Sequence, residues 1–91
     1  MPARLLYHVK QSHRGGIVEM VIWQLPDVDP ERPHGLKYRL VFIKGGKRLV
    51  GYDNERGKGD HRHIGNKEYS YAFRGIDQLV QDFWDDVRRR R

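Results

Sequence analysis

The chain has 91 residues, no cysteine, and 18 Lys and Arg against 12 Asp and Glu, for a net charge of +6. That length holds one domain with one modest core and excludes two. The absence of cysteine excludes a disulfide framework and every thiolate metal site, and it fits a reducing compartment.

No apolar run approaches the roughly 20 residues of a membrane-spanning helix. No basic-then-apolar leader opens the chain, so a soluble, cytoplasmic protein is expected. Four of the six net positive charges sit in the closing Arg88 to Arg91, leaving two for the rest. The basic balance favours a polyanionic partner, but less than the total suggests. So small a core also favours a stabilising partner, such as a second copy of the chain.

Residues 3–11, ARLLYHVKQ, alternate loosely, with Leu5, Tyr7 and Val9 expected on one strand face. SHRGG (12–16) is a turn signal. GIVEMVIWQL (16–25) is apolar on both parities and reads as a central strand with both faces largely covered. PDVDPERPHG (26–35) holds three prolines and reads as a loop. LKYRLVFIK (36–44) is a third strand with Tyr38, Leu40 and Phe42 on one face. Gly45-Gly46 supplies the two positive φ angles of a type I′ hairpin turn, and KRLVGYD (47–53) is the returning strand.

The polar stretch 52–65, YDNERGKGDHRHIG, follows. KEYSYAF (67–73) then places Tyr69, Tyr71 and Phe73 on one side of a short strand. Ile76, Leu79, Val80, Phe83, Trp84 and Val87 form one apolar helical stripe. Gly75 stands at the N-cap, an acceptable residue there. The expected fold is α+β: one domain over 1–91, with an antiparallel meander of four to five strands (about 3–73). A C-terminal helix (about 75–90) covers one face, and the other face is open to a partner.

The chemistry gathers in the polar stretch. His61 and His63 are two apart, so in extended chain both imidazoles point the same way. Two such rings can serve as general acid and base near neutral pH. Lys58 and Arg62 can hold a phosphate, and Gly57 and Gly59 flank Lys58 in a segment able to form an anion-binding nest. Asp60 is placed to orient a histidine, while Asp53 and Asn54 shape the turn at the strand end. Arg56, Lys47 and Arg48 extend the cationic surface toward a nucleic acid. These are the parts of a metal-independent ribonuclease that uses the ribose 2′-hydroxyl as nucleophile, with no cofactor or metal. The same H-x-H, with Asp53 or Asp60 as a carboxylate ligand, is also a metal-binding spacing. His8, His13 and His34 are scattered. GKG lacks the spacing of a P-loop. The arginine tail is either a solvated helix end or a phosphate contact.

IVEMVIW (17–23), KYRL (37–40), YDNERGKGDHRHIG (52–65) and LVQDFWDDV (79–87) together resemble the TumE family of bacterial toxin–antitoxin toxins. The long D-N-x-x-G-K-G-D-H-x-H pattern at 53–63 carries most of that resemblance. It implies a cytoplasmic growth inhibitor neutralised by an antitoxin, itself a helix-turn-helix DNA-binding protein. The expectation is therefore a type II toxin acting as a small metal-independent endoribonuclease. The alternative is a non-enzymatic module of such an operon that binds RNA, DNA or protein.

Overall fold

In a computed structural model that describes residues 2–30, 32–55 and 57–90, the chain runs as six strands and one helix. These are β1 (Arg4–His13), β2 (Gly16–Gln24), β3 (Leu36–Lys44), β4 (Lys47–Asp53), β5 (His61–Ile64), β6 (Lys67–Ser70) and α1 (Ile76–Arg89). The strands pair antiparallel in sequence order, each with the next, as one open meander. Two hairpin turns take positive φ at both central residues: Arg14-Gly15 and Gly45-Gly46. Gly16, which opens β2, is required for another reason. A Cβ there would lie 2.6 Å from the Ile43 carbonyl oxygen.

Side-chain alternation then sorts the sheet into two faces. Val18, Met20 and Ile22 of β2, Tyr38, Leu40 and Phe42 of β3, and Val50 and Tyr52 of β4 point to one face. There they are buried with Leu79, Phe83 and Val87 of α1. Ile76, Val80 and Trp84 complete the helical stripe, half-buried against this core. The helix lies chiefly over β4. No helix among the described residues is long and apolar enough to cross a membrane.

Three features depart from the sequence expectation. The sheet has six strands, because the polar segment 61–64 pairs with both β4 and β6. Paired backbone, not apolar alternation, makes it a strand. Second, β2 is not covered on both faces: Ile17 and Trp23, on the face away from α1, are 40% and 37% exposed. One helix covers one face only. Third, Leu5 and Tyr7 do not share a face. A register shift between them sets Leu5 opposite Trp23 and Tyr7 opposite Ile22, on opposite sides of the sheet.

Phe83 is the largest fully buried side chain that α1 brings to the sheet. Phe83→Ala is expected to cost about 3–5 kcal/mol of folding stability in urea denaturation. A loss under ~1 kcal/mol would mean the helix is not seated as described.

Candidate active site

The D-N-x-x-G-K-G-D-H-x-H segment spans the end of β4, a turn, and β5. Register places its residues. Asp53 pairs with His61 across β4 and β5, and Gly51 pairs with His63. On the far side, Arg39 of β3 pairs with Asp53 and Val41 with Gly51. Glu68 of β6 pairs with His63. All these residues share the face that α1 leaves uncovered.

There, Asp53, His61 and His63 each contribute one donor atom to a set lying within 4.8 Å of one another. The two rings meet edge to face, with centroids 4.9 Å apart. His61 is buried, and its Nδ1 lies 3.1 Å from the Gly59 carbonyl oxygen, to which it donates. Its Nε2 lies 2.5 Å from Asp53 Oδ1. That approach does not have hydrogen-bond geometry: Oδ1 is buried and accepts no hydrogen bond from any described residue. Glu68 reaches both rings from the sheet's outer side, at 4.0 Å from His61 Nε2 and 4.0 Å from His63 Nδ1. Burial and then the charge of Arg48 push His63 below the usual histidine range, while Glu68 pulls the other way. Arg48 also lies over Gly51, where a Cβ would meet its Cδ at 3.0 Å. The missing side chain at position 51 makes room for the guanidinium beside His63.

Other residues of the motif lie elsewhere. Asp60 turns toward the helix-covered side, where its carboxylate accepts from Tyr38 Oη at 2.7 Å and from His34 Nε2 at 3.0 Å. His34 Nδ1 in turn accepts the Leu36 N–H. Burial and the bond to Asp60 raise Tyr38 well above the usual tyrosine range. Asp53, not Asp60, is thus the carboxylate beside His61. Arg62 falls between the two histidines in sequence and so points to the opposite face. It binds the buried carboxylate of Asp86 at 3.0 Å. Tyr52 donates its hydroxyl to the same oxygen. That bond and burial raise the Tyr52 pKa. Arg89 also pairs with Asp86.

Lys58 is exposed and makes no side-chain hydrogen bond or ion pair among the described residues, while its backbone N–H donates to Glu55 O. Gly57 and Gly59 both take positive φ beside it, and Lys47 lies at the exposed start of β4. Arg56 lies outside the described residues. Asn54 is buried: its side chain accepts from Tyr38 N–H and donates to Leu36 O, clamping the end of β4 to the start of β3.

Glu68 and Arg39 were not singled out from the sequence. The aromatic parity of KEYSYAF drew attention to Tyr69 and Tyr71, and Glu68 sits on the other parity. Neither residue is near the motif until strands pair.

A family model described as Toxin TumE matches residues 3–91. The chain belongs to the TumE toxin family. That membership implies a toxin of a toxin–antitoxin system, with a cognate antitoxin as partner. Neither a curated protein nor a solved structure matches the chain. For this family member, then, site assignments rest on its own geometry.

That geometry separates scaffold from chemistry within one motif. Asn54→Ala leaves two buried backbone groups without partners and is expected to cost about 2–4 kcal/mol in urea denaturation. Lys58→Ala is expected to stay within ~0.5 kcal/mol of the parent. Equal effects would contradict the division.

Proposed function

We propose that this toxin acts on RNA, and that it cuts phosphodiester bonds at the Asp53–His61–His63 centre. The observation that carries the reading is the convergence of these groups, with Glu68, on the uncovered sheet face beside Arg39 and Arg48.

The reaction needs three things. One group must take the proton of the ribose 2′-hydroxyl as that oxygen bonds to phosphorus. Another must supply a proton to the 5′-oxygen as its bond to phosphorus breaks. Positive charge must offset the charge building on the phosphoryl oxygens. The carboxylate and imidazole groups of the centre meet the first two needs. Arg48 and Arg39 are placed for the third, and exposed Lys47 and Lys58 extend the cationic surface along a backbone. Products are a 2′,3′-cyclic phosphate and a free 5′-hydroxyl. Asp60 and Arg62 support the centre from behind, by holding the ends of β5 and its opposite face. The antitoxin that silences the toxin is, in this reading, a helix-turn-helix DNA-binding protein.

The test is expression in a bacterium lacking the antitoxin, with purified protein incubated in parallel with total RNA. His63→Ala and Asp53→Asn are each expected to relieve growth arrest and to lower the cleavage rate at least ~100-fold, while remaining folded. Intact RNA under conditions where the wild-type chain binds it would instead make this a non-enzymatic binding module. Unchanged toxicity in a folded His61→Ala/His63→Ala variant would remove the centre from the mechanism.

A further inference from the structure

His61 and Asp53 meet closely on the face that α1 leaves uncovered, in a contact without hydrogen-bond geometry. The Nδ1–H of His61 is committed to the Gly59 carbonyl at 3.1 Å, which directs Nε2 toward Asp53. That atom sits 2.5 Å from Asp53 Oδ1, a buried oxygen that accepts no hydrogen bond from the described residues. A carboxylate oxygen and a ring nitrogen that close need a cation, either a proton or a metal ion, between or beside them. His63 offers a third donor within 4.8 Å of both.

From this we infer that Asp53, His61 and His63 bind one divalent first-row transition-metal ion, such as zinc, on the uncovered face of the sheet. Such ions sit about 2.0–2.2 Å from nitrogen and oxygen ligands, so ligand atoms around one lie roughly 3–3.5 Å apart. The observed spacings bracket that value, and small side-chain rotations close the set. The donors are two imidazoles and a carboxylate, a set suited to zinc, iron, manganese or their neighbours. It is ill suited to magnesium, which prefers oxygen and water. Three protein ligands also match the catalytic rather than the structural pattern, because they leave a position open for water or substrate. The His61–Gly59 bond is the usual outer contact that fixes the ligating tautomer.

Arg39 and Arg48 oppose a cation here, but Asp53 and Glu68 offset both charges. Glu68 stands 4.0 Å from each ring on a strand that pairs with β5. With both imidazoles ligating, it is the carboxylate left to take the proton of the attacking 2′-oxygen and to return it to the 5′-oxygen as that bond to phosphorus breaks. The metal would draw charge from a phosphoryl oxygen at its open position. This division of labour differs from the cofactor-free one between two histidines expected from the sequence.

The inference rests on the same centre proposed for RNA, but its test does not need RNA. The purified full chain, stripped with a chelator, is titrated with Co2+, Zn2+ or Mg2+ and followed by visible absorption, calorimetry and thermal melting. Expected are one Co2+ per chain with a d–d spectrum showing nitrogen and oxygen ligation, displacement by Zn2+, and a raised Tm with either ion. Mg2+ at the same concentration should do none of this. His63→Ala should weaken binding by more than the ~10–100-fold typical of losing an outer partner. His8→Ala, at the exposed His8–Glu19 pair, should leave it unchanged. Absence of stoichiometric Co2+ and Zn2+ binding by the wild-type chain overturns the inference, as does binding that survives His61→Ala/His63→Ala. RNA cleavage by metal-free protein would remove the metal from the reaction and keep the ribonuclease. Metal binding with intact RNA would do the reverse.

Discussion

A six-stranded sheet has two faces, and this chain has one helix to cover them. Everything else follows from how period-two alternation distributes residues between the faces. The apolar parity of β2, β3 and β4 meets Leu79, Phe83 and Val87 and forms the core. The other parity is left to water and to whatever binds there. A segment as polar as 61–64 could not lie under the helix with both parities inward. Pairing at the sheet's far side lets it offer Arg62 to the helix and both histidines to the open face.

The two sides of β5 solve the burial of charge differently. On the helix side, Asp86 is among the few buried polar groups. It is held by Tyr52, Arg62 and Arg89, so its charge is matched and its lone pairs are used. Removing one partner from such a group is costly, which makes it a structural network rather than a reactive one. On the open side, a buried oxygen of Asp53 accepts no hydrogen bond from the described residues, although His61 Nε2 lies within ion-pairing distance. Folding tolerates an unsatisfied group of this kind only where something else compensates for it. The two carboxylates lie on opposite sides of the sheet, and only Asp86 has its lone pairs used by described partners.

Much of this was legible in the sequence because it depends on local period. The helical stripe, the Gly45-Gly46 hairpin and the common direction of His61 and His63 all follow from spacing alone. What was not legible depends on register. Asp60 is the nearest carboxylate to His61 along the chain, yet it bonds Tyr38 and His34. Asp53, eight residues away, is the cross-strand neighbour. Glu68 reaches the rings through a second pairing, and Arg62 is turned away by the same alternation that joins the histidines. The Leu5–Tyr7 shift shows the limit from the other side: one extra residue in a bulge reverses every later assignment of face, and no composition signal announces it.

The placement of the centre on paired strands, not in the glycine-rich loop, has a mechanical consequence. Gly57 and Gly59 permit the sharp turn that precedes β5. Functional atoms on a loop of that kind would be positioned only as well as the loop is. Instead the loop contributes one fixed atom, the Gly59 carbonyl, to the back of His61. The ladder between β4 and β5 sets the distance from Asp53, and the ladder between β5 and β6 sets the distance from Glu68. Hydrogen-bonded strands hold such spacings more rigidly than loop torsions do. The same sheet makes room at the centre: Gly51 withholds a side chain next to His63, so Arg48 can lie there beside the ring. A narrow pocket would need walls on several sides. An open sheet face needs only one vacated position, and it suits a substrate that is long and flexible and carries its own charge.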